Sequence, residues 1–125
     1  MRLIRLNTNY PTYLTDFYAQ RPALASTSYT VQHATLMADC YGWADFWTRN
    51  LAPLGYVTWE PVANAEAQQK KWAQENNVHW SAQRWLHDIT LAQVAQFAPD
   101  IVLVNDYSTF DATFFQQLRQ TCPSV

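Results

Sequence analysis

Two periodicities alternate along this chain. Leu3 to Leu6 is a short apolar-rich run that stops at the polar tip Asn7-Thr8-Asn9-Tyr10, and it predicts a first strand. A long polar and aromatic stretch follows, NTNYPTYLTDFYAQRPALASTSY, read as a loop because Pro11 and Pro22 prevent one continuous helix. Structureless loops beyond about 15 residues are usually functional or disordered, and the Tyr, Phe and Leu content of this one argues against disorder. From Thr30 to Leu51 apolar residues recur at intervals of three and four. Met37, Cys40, Ala44, Trp47 and Leu51 then form one face of a helix that Leu36 and Trp43 widen. Pro53 and Gly55 end it, and Tyr56 to Val62 reads as a second strand with Pro61 marking an edge or an end.

The remaining pattern repeats the alternation. Ala65 to Glu75 is a polar helix. NNVHWSAQRW connects it to a helix from about Ala82 to Phe97, whose buried side carries Leu86, Ile89, Val94 and Phe97. Ile101 to Val104 is a third strand, apolar at consecutive positions as expected of a central parallel strand. It stops at Asn105-Asp106-Tyr107-Ser108. Ser108 to Asp111 has the form of a capping box opening a last helix through Phe114, Phe115 and Leu118.

Strands alternating with helices predict an α/β fold, a Rossmann-like α/β/α layering around a small parallel sheet. Right-handed crossovers set its order at 2-1-3. The final Cys-Pro-Ser-Val stands where a fourth strand is expected, so the 125 residues read as a single domain and as a fragment of a longer protein.

In such sheets ligands sit beyond the carboxyl ends of the strands. Order 2-1-3 makes the tips after strands one and three neighbours. The candidate cleft residues are therefore Asn7, Asn9, Tyr10, Asn105, Asp106, Tyr107 and Ser108, against the plainer alternative that Asn, Asp and Ser only shape turns and cap helices.

Composition narrows the ligand. Only 14% of residues are charged, and the eight Lys and Arg are scattered, which argues against a nucleic-acid footprint. Two glycines, Gly42 and Gly55, exclude the Gly-rich phosphate cradles of dinucleotide and P-loop sites. No nucleophile elbow or Ser-His-Asp order is present, and Asp16, Asp39, Asp45 and Asp106 lack a paired partner, so no catalytic residue is identified. A phosphorelay receiver, with Asp106 as phosphoacceptor, is a weaker reading, because Asn-Thr-Asn stands where acids are wanted.

Cys40 and Cys122 read as reduced thiols of a cytoplasmic protein, and neither they nor the three His have metal-ligand spacing. No cofactor and no membrane span are expected. Six Trp and seven Tyr are many for this length, and rings with amide side chains are the tools of a sugar or small polar site. Trp47 reads as core, with Trp43 and Trp59 leaning the same way, whereas Trp72, Trp80 and Trp85 read as surface candidates. On the wheel of the 30–51 helix, Phe46 lies opposite Met37 on a strip with Thr35, Asp39 and Gly42. That makes it the candidate interface residue, toward a second domain, a second copy or the long first loop folding over it.

NTNYP after strand one, GWADFW (42–47), NAEAQQKKWAQE (64–75) and LVNDYS (103–108) together resemble the N-terminal domain of bacterial GT-B type glycosyltransferases near the CgeB-like spore-maturation group. The resemblance implies a Rossmann-like domain on the acceptor side of an interdomain cleft lined by Asn9, Tyr10, Asn105 and Asp106. It implies transfer from a nucleotide sugar to a glycosyl acceptor, with most of the donor held by a second domain and no turnover by these residues alone. The alternative is a non-catalytic, flavodoxin-like interaction or dimerisation module.

Overall fold

The computed structural model describes residues 1–125 and has an α/β architecture. Three parallel strands, β1 (Arg2–Leu6), β2 (Val57–Trp59) and β3 (Ile101–Val104), form a sheet of order β2-β1-β3. Leu3 pairs with Thr58 on one side and Ile101 on the other, and an isolated bridge joins Asn7 to Val62. Six helices surround the sheet: α1 (Pro11–Ala19), α2 (Tyr29–Ala38), α3 (Phe46–Leu51), α4 (Glu66–Glu75), α5 (Trp85–Phe97) and α6 (Ala112–Thr121). The fold is the Rossmann-like one expected. No helix is long and apolar enough to cross a membrane.

The alternation of side chains along β1 divides the sheet's two faces. Ile4 and Leu6 enter the main core with Val94 of α5 and Phe110, Phe114 and Leu118 around α6. Arg5 points to the opposite face, toward the chain before α3. A second cluster joins α1 to α2 through Leu14, Phe17, Leu36 and Met37, and a third gathers Tyr29, Trp72, Ala73 and Ile89. Trp59 packs against both the first and the third.

Several local expectations are corrected. The stretch after β1 is not a loop: Pro11 occupies the first turn of α1, where a missing N–H costs nothing and the fixed φ favours starting a helix. The 30–51 helix is two helices. The chain leaves α2 at Ala38, and Cys40, Gly42 and Ala44 all take left-handed φ values, of 56°, 57° and 38°. Tertiary contacts outweigh the helical spacing there. Tyr41 stacks on Tyr13 with ring centroids 3.6 Å apart, and Asp39 accepts hydrogen bonds from Tyr13 and Arg21.

The apolar face drawn through Cys40 and Trp47 therefore does not exist. Cys40 is exposed, Trp47 is half-buried and Trp43 is 63% exposed. Phe46, 44% exposed, begins α3 beside Trp43 and Trp47 rather than lying on a strip with Thr35 and Asp39.

Trp72 is buried, because α4 is wedged between α2 and α5 and its apolar ring is needed there. Trp80 and Trp85 are half-buried. β2 is shorter than read, three residues, with only the Val62 bridge beyond. β1, not β3, is the central strand, and β3 is an edge whose Ile101 is partly exposed. Finally, Asp111 itself caps α6 by accepting from the Phe114 amide at 3.0 Å, while Ser108 lies in the preceding turn.

Candidate functional site

The chain leaves β1 and β3 side by side, and the two polar tips meet. Between them and the 41–43 segment lies an open cavity of about 680 Å³. Of the residues read from sequence, Asn7, Asn9, Tyr10, Asn105, Asp106 and Ser108 line it. Tyr107 does not; it is 81% exposed and stands outside. Phe46 lies apart from this cavity, on the wall of a smaller hollow with Cys40 and Arg49.

Asp106 ties the two tips together. Its Oδ1 accepts from the Ser108 amide and hydroxyl and from the Thr109 amide. Its Oδ2 accepts from the hydroxyls of Thr8 and Thr109, each at 2.6 Å. Burial works to raise this carboxyl, but the hydrogen bonds from Ser108, Thr109 and Thr8 outweigh it and hold the group well below the ordinary carboxylate range. With both oxygens engaged, Asp106 is a staple between β1 and β3 rather than a free base or phosphoacceptor. Ser108 serves it in the manner of an Asx turn, the plainer of its two readings.

Asn64, after β2, clamps the first tip. Its Oδ1 accepts from the Asn9 amide at 3.0 Å and its Nδ2 donates to the Asn9 carbonyl at 2.7 Å. Asn9 is thereby fixed by its backbone, leaving its side chain for the cavity. Asn7 Nδ2 donates to Asn9 Oδ1 at 3.4 Å. Thus Asn7 Oδ1 and Asn9 Nδ2 remain as an acceptor and a donor without a protein partner, on residues that line the cavity. The opposite wall is aromatic, with Tyr41 held by its stack on Tyr13 and Trp43 projecting into solvent.

Beneath the floor lies a buried ion pair that the sequence reading missed. Arg5, 0% exposed, donates from Nη1 to Glu60 Oε2 at 2.5 Å and from Nε to Asn105 Oδ1 at 3.0 Å. Glu60 Oε1 accepts from the amide and hydroxyl of Thr48 in α3. The register explains the meeting, since Ile4 pairs with Trp59 and the next step sets Glu60 beside Arg5. The signal was available. A single charge in the apolar run LIRL, one strand away from a lone Glu, marks a buried pair once the sheet is drawn. Trp43 and Tyr41 were hidden by the assumption of a continuous helix.

No Lys, Arg or His side chain lines the cavity. No group of three or more His, Cys, Asp or Glu is gathered anywhere as a metal site. The lining offers amide donors and acceptors, hydroxyls and ring faces, which can hold a hydroxyl-rich molecule by hydrogen bonds and stacking. No family model, curated protein or solved structure matches this chain.

Proposed function

We propose that this chain is the acceptor-side domain of a glycosyltransferase. Its cavity at the carboxyl ends of β1 and β3 would hold the sugar or other hydroxylated acceptor. The nucleotide-sugar donor would be bound chiefly by another domain. The observation that carries this reading is the lining itself: Asn7, Asn9 and Asn105 amides facing Tyr41 and Trp43, with no cation to hold a pyrophosphate. Such a surface suits hydroxyls and apolar ring faces, and it leaves the donor phosphates to be neutralised elsewhere. The position beyond the strand ends, at the point where the strand order reverses, is where open α/β sheets place ligands.

Trp43 provides the test, because none of the other five Trp side chains is as open to solvent. Titration of the protein with neutral saccharides such as glucose and N-acetylglucosamine is expected to change the indole fluorescence at millimolar concentrations. The same titration of Trp43→Phe is expected to give no such change, with binding weakened by about 1 kcal/mol for the smaller ring. No sugar transfer from a nucleotide sugar is expected of these residues alone. Rapid turnover by the isolated chain, or an unresponsive wild type that also fails to bind in calorimetry, would sink the reading.

A further inference from the structure

A guanidinium has five N–H donors and no acceptor, so any side-chain amide that meets one must present its oxygen. Asn105 meets Arg5 in this way, and its Oδ1 accepts from Nε at 3.0 Å. Arg5 cannot turn away. It is fully buried in the central strand, its Nη1 is paired with Glu60, and the same nitrogen reaches the Ala44 carbonyl at 3.4 Å. Glu60 is held in turn by Thr48 at 2.7 and 2.9 Å. The amide of Asn105 is therefore locked with oxygen inward and nitrogen outward. Its Nδ2 has no partner within the protein, and Asn105 is exposed where it lines the cavity.

The charge around that nitrogen is one-sided. Asp106, next in the chain, is ionised and is met by hydroxyls and amides alone. The one buried cation nearby, Arg5, is already matched by Glu60. A ligand entering here finds a fixed donor beside an uncompensated carboxylate. An anionic ligand is repelled, whereas a neutral oxygen can take the amide hydrogen without penalty.

Resting on the function proposed above, we infer that Asn105, positioned by the buried Arg5–Glu60 pair, is the specificity-determining donor of the cavity. The site takes an uncharged hydroxylated ligand that offers an oxygen to Asn105 Nδ2, and it discriminates against the phosphorylated form of the same molecule. Asn105 makes the contact with ligand, and Arg5 acts through it.

The substitution Asn105→Asp separates this role from a structural one. An aspartate is nearly isosteric, keeps an oxygen for Arg5, and replaces the outward donor with a second acceptor. Calorimetric titration with glucose, N-acetylglucosamine and their 6-phosphates reads the result. The wild type is expected to bind a neutral sugar at least about tenfold more tightly than its phosphate. Asn105→Asp is expected to weaken the neutral sugar at least about tenfold, as loss of one ligand hydrogen bond requires, with its melting point within about 3 °C of wild type.

A folded Asn105→Asp protein that binds the neutral sugar as well as wild type overturns the inference and leaves the proposed function standing. So does equal or tighter binding of the phosphate. A wild type that binds none of these sugars overturns both. Should Asn105→Asp fail to fold, Asn105→Ser decides by the same titration, since unchanged affinity there also overturns the inference.

Discussion

At the residue scale the most consequential pair is Arg5 with Glu60. Two charges taken out of water are costly, and the pair stands only because each partner is met by further groups: Asn105 and the Ala44 carbonyl for Arg5, Thr48 for Glu60. Arg5 Nη2 has no partner within the protein, so two of the five guanidinium N–H donors are unmet. Removing one charge leaves the other stranded. Glu60→Gln is expected to destabilise the protein by about 3–5 kcal/mol in urea unfolding. The double variant Arg5→Met with Glu60→Leu, which strands no charge, is expected to be more stable than the single one. If Glu60→Gln instead costs less than about 1 kcal/mol, the pair is not a buried anchor. Asp106 differs from Glu60 in being met by hydroxyls and amides alone, with no cation beside it.

At the scale of elements, what decides a helix end here is often a left-handed residue. α5 stops at Ala98, with φ 47° and ψ 64°, whose amide donates to the Val94 carbonyl before Pro99 bars continuation. Glycine fits that conformation without the Cβ clash that alanine meets. Ala98 is exposed, so the change disturbs no packing. Ala98→Gly is expected to stabilise the protein by about 0.5–1 kcal/mol, visible as a higher urea midpoint with an unchanged slope.

The same conformation explains which elements could be read from sequence and which could not. β1, β3, α5 and the order of the sheet follow from periods and from Pro99, because nothing tertiary contradicts the local pattern. The break between α2 and α3 was illegible. Its left-handed positions include Cys40 and Ala44, residues with no propensity for them, and they are held by the Tyr13–Tyr41 stack and by Arg5 from a distant strand. α1 is illegible for the opposite reason, since Pro11 reads as a breaker although it starts the helix. The polar tips were legible because crossover handedness alone makes them neighbours. The aromatic wall depended on the broken helix and was not.

At the scale of the whole molecule, two of the three apolar clusters are joined through one ring. Trp59 packs on Trp72 and Phe97, and donates from its indole to the Tyr29 hydroxyl at 3.1 Å. Immediately after it, Glu60 holds Arg5 through its side chain and His33 of α2 through its carbonyl, at 2.9 Å. A carbonyl only accepts, so His33 carries its proton on Nε2. The ring stacks near Tyr29, with centroids 5.4 Å apart. Burial lowers the His33 pKa, against weaker opposing contributions from Glu60 and Asp45.

Because one cooperative unit contains this histidine, its titration registers in global stability. The folded pKa lies below the unfolded value, so the neutral ring's contribution is complete above about pH 6.5 and declines as pH falls from there toward the folded value. Urea unfolding is expected to show stability dropping below about pH 6.5 with a slope of at most about 1.4 kcal/mol per pH unit, the limit for uptake of one proton. His33→Gln, which keeps a donor for the Glu60 carbonyl and cannot titrate, is expected to lose that slope just below about pH 6.5 while remaining folded. An identical slope in the variant would mean that the acid sensitivity comes from another group, and that the junction of α2 with the end of β2 does not respond to protonation.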